Sequence, residues 1–195
     1  MEKDPLFSQI YTINPSTNCY LIEIGLDQYT DIFDEWDPAP FKHRSIDPDL
    51  ELYLEGSSEE IPLRYPVELH FKVQAGSRDK KMEEESQNGL KTSFAFKMYL
   101  LRKELKKTNT QILRCIALGL IFLWMGMFFS EQFAGRALAY LLAEAIIIGG
   151  WVFLWEAVSL FFFTNREIDH KYRIYRRLSD SPVTFQAANK ADRGI

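Results

Sequence analysis

Two carboxylates stand where hydrocarbon is expected. In AEAIIIGGWVFLWEAVSLFFF, residues 143 to 163, Glu144 and Glu156 interrupt an otherwise apolar run. A carboxylate in a membrane helix can pair with a cation, accept from a tryptophan N–H, stay protonated, or relay protons through a pore. Fourteen Leu, Ile, Val and Phe residues between 137 and 163 favour insertion by about 6 kcal/mol, and a central acid opposes it by roughly 2.5 to 3.5 kcal/mol. Two unpaired charges would nearly cancel that gain. The two acids are twelve residues apart, roughly 18 Å along a helix, so they lie at different depths.

If the chain reverses near residue 133, Arg114 falls within a turn of Glu156, and Trp124 is level with Glu144. That register predicts an Arg114–Glu156 ion pair at the cytoplasmic border and a Trp124 N–H donating to Glu144. The alternative puts Glu156 in one headgroup zone and Glu144 near the other. Ala145, Gly149, Val152 and Glu156 recur at i, i+4, i+7 and i+11, a small-residue stripe suited to close helix contact, which turns Glu156 toward protein. Glu144 shares its face with Ile148, Trp151 and Trp155, where tryptophans mark interface anchoring or packing.

Other chemistry is thinner. Asp31, Asp34, Glu35 and Asp37 offer oxygen ligands for a hard cation but lack the glycine turn and spacing of a calcium loop. They read as a solvated turn anchored by Trp36 and Phe41. His43 and His70 are isolated, and Cys19 and Cys115 have no metal-ligand spacing, so both thiols are expected reduced and structural. No G-x-S-x-G, H-E-x-x-H, P-loop or dinucleotide fingerprint occurs. The expectation is no catalytic residue, no cofactor and no metal.

Charge divides the chain that carries these groups. Residues 1 to 90 hold 19 acidic and 8 basic side chains, while the remainder holds 8 acidic and 15 basic. Such asymmetry fits an acidic cytoplasmic part joined to a membrane part with basic flanks, and it argues against nucleic acid as a partner of the first half. The start, MEKDPLF, has neither the positive nor the apolar region of a secretory signal. Residues 111–130 and 137–163 are long and apolar enough to cross a bilayer. Arg102, Lys103, Lys106, Lys107 and Arg114 precede the first span, and Arg166, Lys171, Arg173, Arg176 and Arg177 follow the second. The positive-inside rule then keeps both termini in the cytoplasm.

The predicted fold is α+β, a small cytoplasmic α/β domain followed by a two-helix transmembrane hairpin. The expected parts are an acidic α/β domain over 1–82, an amphipathic basic helix over 83–110, the hairpin over 111–163 and a basic cytoplasmic tail over 164–195. Residues 20–26 and 67–73 alternate as strands, and 10–14 is a weaker candidate. Asp47-Pro48-Asp49 opens a helix that Gly56-Ser57-Ser58 weakens and Pro62 ends. The polar stretch 74–89 reads as a linker or loop. Leu90, Phe94, Met98, Leu101 and Leu105 then form a helical seam, either continuous into the membrane or broken near Thr108-Asn109-Thr110. So narrow a sheet is marginal alone, which favours a homo-oligomer.

Asp37-Pro-Ala-Pro-Phe-Lys-His-Arg-Ser-Ile-Asp-Pro48 resembles an element of an uncharacterised family of small bacterial inner-membrane proteins. Glu144-Ala-Ile-Ile-Ile-Gly-Gly-Trp-Val-Phe-Leu-Trp155, with Gly149, Gly150, Trp151 and Trp155, and the basic Arg173-Ile-Tyr-Arg-Arg-Leu178 extend the resemblance over most of residues 31–183. An Arg, a Pro and a nearby acid are usual just after Trp155, where Glu156, Ala157 and Ser159 stand instead. The resemblance implies a bacterial inner (plasma) membrane location and no activity, and it sets Glu144 in the shared core and Arg114–Glu156 outside it. The expected function is a non-enzymatic module, embedded in the lipid bilayer, whose cytoplasmic domain binds a protein partner or senses a signal. The alternative is a channel or proton-conducting subunit using Glu144.

Overall fold

The computed structural model describes residues 10–40, 44–74, 78–132 and 136–187. It divides into two compact units, Met1–Tyr99 with Tyr172–Ile195, and Leu100–Lys171. Residues 133–135, where the chain is expected to reverse, lie outside the described residues, as do Phe41 and His43.

The first unit is built on a three-stranded parallel sheet, β1 (Tyr20–Leu26), β2 (Val67–Val73) and β3 (Val183–Ala187), in that spatial order. Tyr20, Ile22, Ile24 and Leu26 alternate inward along β1, as do Val67, Leu69, Phe71 and Val73 along β2, and all eight are buried. Period-two patterning thus sets one apolar face. Tyr20 pairs with Val67, and Leu69 with Val183. Phe71 and Phe185 stack with centroids 5.2 Å apart, a pairing that adds about 1 kcal/mol beyond burial. Ile13 makes only an isolated antiparallel bridge to Tyr20, so the 10–14 segment is not a strand.

Helix α1 (Pro48–Glu60) starts where Asp47 Oδ1 accepts from the Asp49 and Leu50 amides at 2.9 and 3.1 Å. Such a cap contributes ~1 kcal/mol. Helix α2 (Lys80–Gln132) begins inside the expected linker. Asp79 Oδ1 accepts from the Lys81 amide at 2.9 Å, and the run KKMEEES is rich in helix formers. Nor does α2 break at Thr108-Asn109-Thr110: Thr110 donates to the Lys106 carbonyl at 2.9 Å, a bond back to the preceding turn that keeps its hydroxyl satisfied within a helix. Leu54 of α1 and Leu90 and Phe94 of α2 are fully buried.

Helix α3 (Ala137–Ser159) runs through a π turn at Leu160–Thr164 into α4 (Asn165–Asp180). Ile174 and Leu178 of α4 join the first unit's core. The tail expected to stand apart over 164–195 is therefore split, and residues from Tyr172 onward belong with 1–99. The physical reason is the free edge of β2, which β3 occupies.

In the second unit, α2 and α3 pack antiparallel. Gly119 faces Gly150 and Leu154, Phe122 meets Gly149, and Gly126 faces Ala143 and Ile147. A Cβ on Gly126 would lie 2.5 Å from Ile147, and one on Gly150 would lie 2.9 Å from Leu123. Glycine at both positions is what permits this approach. Further along, Asn165 Nδ2 donates to Asn109 Oδ1 at 2.7 Å.

Candidate functional site

The second face of the sheet is polar. Leu21 and Glu23 of β1, Glu68, His70 and Lys72 of β2, and Thr184 and Gln186 of β3 line a groove of about 580 Å³, with Thr12, Asn14 and Pro15 over one side. Parallel sheets usually carry cover on both faces. Here the open face is instead held together by side-chain bonds across the strands.

Glu68 is the buried centre, 1% exposed. Its carboxylate accepts from Asn14 Nδ2 at 3.0 Å, Thr17 Oγ1 at 2.8 Å and Thr184 Oγ1 at 3.0 Å. Asn14 and Thr17 come from a tight turn in which the Asn18 amide donates to the Asn14 carbonyl at 2.8 Å, with Asn18 at φ 58°. Asparagine tolerates this left-handed conformation better than most residues. With Thr184 giving its single proton to the carboxylate, His70 Nδ1, 2.9 Å from Thr184 Oγ1, is the N–H partner in that contact. His70 Nε2 lies 2.9 Å from Gln186 Oε1. Beside this ladder, Lys72 pairs with Glu23 at 2.9 Å.

A neighbouring groove of about 530 Å³ shares Thr12, Leu21 and Glu23 and adds Tyr11, Tyr53 and Glu60. Tyr11 donates to Glu60, and burial with that carboxylate pushes its phenol up to about 12. Tyr53 donates to the Glu23 carbonyl at 3.0 Å. Together the two grooves offer carboxylates, amides, hydroxyls and a histidine, a set for hydrogen-bonding a polar partner.

Two side chains of α4 hold the unit's discontinuous pieces together. Arg177 donates to Ser58 Oγ at 2.7 Å and to the Ile61 and Pro62 carbonyls at 2.9 and 3.1 Å, capping the end of α1. Burial pulls its guanidinium down to about 10. Tyr175 lies 2.6 Å from Glu51 and 2.8 Å from Glu55, while Lys97 pairs with Glu51 at 2.7 Å. Burial first, then the two carboxylates, push the Tyr175 phenol far up.

The acidic loop spends its carboxylates on its own backbone. Asp31 accepts from the Gln28 amide, Asp34 from Trp36, and Asp37 from Ala39 and Ser45. Trp36 is 91% exposed and anchors nothing there, since these Asx bonds already close the turn. Among the described residues no three His, Cys, Asp or Glu side chains converge as a metal site. Cys19 and Cys115 are both free and buried.

The membrane-type carboxylates are placed differently from the expectation. Arg114 and Glu156 are both exposed within the single chain, and no ion pair joins them. The register is within two residues of the expected one, since Gly119 opposite Gly150 sets position 114 level with about 155; the pair fails because both side chains stand off the helix contact, next to the buried Cys115 and Ala157. The contact stripe also differs: Ala143, Gly150 and Ala157 are buried, while Ala145, Val152 and Glu156 are exposed. A shift from Gly149 to Gly150 rotates the interface by about 100°. Glu144 accepts from Tyr140 Oη at 2.9 Å rather than from Trp124, and Trp151 and Trp155 are exposed on the same helix. Sequence reasoning missed the Glu68 ladder, although Glu68 and His70 were visible as the polar positions of β2. Their partners Thr184 and Gln186 lie in a strand with no recognisable signal. Compared with known proteins, this chain matches no family model, no curated protein and no solved structure.

Proposed function

We propose that this chain is a membrane-anchored binding module. Its apolar helices form a transmembrane hairpin, and its α/β unit offers the polar grooves to a cytoplasmic partner. One observation carries the reading: the most apolar windows of the two long helices have mean hydropathies of 2.2 and 2.0, yet only 11% of each is buried. A core helix of a soluble protein would hide that surface, and a bilayer supplies the missing apolar environment. Topology supports the same arrangement. β2 and β3 precede and follow the apolar helices and are neighbours in one sheet, which requires an even number of crossings. The basic flanks assign that shared side to the cytoplasm, and the family resemblance suggests the bacterial inner membrane.

Two single-cysteine variants, Thr30→Cys and Gln132→Cys, each made in a Cys19→Ser, Cys115→Ser background, test the arrangement. The thiol introduced at position 132 is expected to react with an impermeant maleimide added to intact spheroplasts. The thiol at position 30 should react only after permeabilisation. Labelling of both positions, or the reverse pattern, sinks the reading.

A second reading is favoured by Glu144, a carboxylate exposed on the apolar helix and bonded to Tyr140. A lipid-facing carboxylate is costly, so subunits that bring their Glu144–Tyr140 pairs together would relieve it and line a proton path. Proton flux in liposomes that falls at least tenfold in Glu144→Gln, at unchanged oligomer size, would establish it. Equal flux from both proteins would remove it.

A further inference from the structure

Arg114 is the last charged residue before the uncharged run 115–130 of α2. It is exposed, as are Lys103, Lys106 and Lys107 two to three turns earlier. Among the described residues, no carboxylate lies within ion-pair distance of these four cations. Elsewhere the chain pairs its cations readily: Lys72 with Glu23, Arg78 with Glu83, and Lys97 with Glu51. The neighbouring surface toward the hairpin turn is apolar, with Leu113, Ile116 and Leu120 all exposed. Lys103, Lys107 and Arg114 fall on one helix stripe at i, i+4 and i+11. That stripe lies away from the α3 contact through Cys115, Gly119 and Gly126.

We infer that Arg114 and Lys107 form a binding site for the phosphate headgroup of an anionic phospholipid, a reading that rests on the membrane location proposed above. Side chains on a helix lean toward its N-terminus, and α2 enters the apolar region from its N-terminal side. Arg114 therefore leans out of hydrocarbon toward the headgroups. A guanidinium fork suits two phosphate oxygens, whereas a lysine contributes a point charge. Gln111, exposed and one turn before Arg114, adds an amide donor on the same side. The occupant follows from charge: four cations at an apolar border outnumber the one carboxylate that stands among them, Glu104, which pairs with none of them.

The test uses the full chain reconstituted in phosphatidylcholine vesicles containing spin-labelled phosphatidylglycerol or spin-labelled phosphatidylcholine in trace amounts. Motionally restricted phosphatidylglycerol is expected to exceed phosphatidylcholine by about 25-fold, two charges at roughly 1 kcal/mol each. The preference should fall about fivefold for each cation removed, the equivalent of roughly 1 kcal/mol per charge near the surface, in Arg114→Gln and Lys107→Gln. Arg114→Lys should retain part of it. Equal restriction of the two lipids by the natural protein, or an undiminished preference in the double variant, overturns the site. Resistance to alkaline carbonate extraction is measured on the same vesicles. Retained protein without lipid preference fails this site alone, whereas extracted protein fails the membrane reading and this site with it.

Discussion

Individual carboxylates in this chain act mainly as acceptors for fixed donors. Asp37 holds the Ser45 and Ala39 amides, and those bonds keep its carboxyl below the ordinary range. Glu83 is drawn down chiefly by its hydrogen bond from Arg78, with Tyr29 adding a smaller contribution. Because both folded values lie below the unfolded ones, their contributions are complete above about pH 4 and are lost as pH falls through the folded values. An acid titration of the full chain in detergent, followed by near-UV circular dichroism, should show loosening only below about pH 4. Asp37→Asn and Glu83→Gln should each flatten that acid limb while lowering stability at pH 7. Unaltered acid sensitivity in both variants would contradict the assignment. Glu68 differs in kind, being buried and served by three side chains from two separate segments. Removing one of those donors leaves a buried acceptor undersatisfied.

At the level of elements, legibility tracked local signals. Residues 20–26 and 67–73 alternate cleanly, and both are strands over those bounds. Asp47-Pro48-Asp49 announced α1 because capping is a local interaction among adjacent residues. The polar stretch 80–89 read as a linker because it lacks an apolar face, yet intrinsic propensity and the Asp79 cap suffice once Leu90 and Phe94 anchor the helix. β3 was illegible: five residues following a helix by two positions carry too little alternation, and the edge that recruits them is remote in sequence. The helix pair was legible as a pair but not in its facing. Adjacent glycines at 149 and 150 satisfy two different small-residue stripes, and only packing selects Gly150.

For the molecule as a whole, the decisive fact is that the α/β unit is discontinuous. Ending the chain at Ser181 removes Thr184 from Glu68, both side-chain partners of His70, and Phe185 from Phe71. A single Phe185→Ala change is expected to cost about 3 kcal/mol, as for other buried phenylalanines, and truncation should cost more. Thermal melting and limited proteolysis of the full-length protein would detect either as early cleavage within residues 10–74. Cleavage and melting unchanged by truncation would show the first two strands to be self-sufficient. The candidate grooves share this dependence, since one wall of the larger is β3 itself. Neither the grooves nor their dependence on the tail could be read from residues 1–82 taken alone.

The late position of β3 also sets a timetable for biogenesis. More than a hundred residues separate Val73 from Val183, which at typical synthesis rates corresponds to roughly 5 to 20 s on the ribosome. Throughout that interval β2 presents an open edge, the feature that invites wrong pairings. Completion of the sheet therefore waits on manufacture of both apolar helices. A chain released before residue 183 carries an unfinished sheet, open to chaperones and proteases.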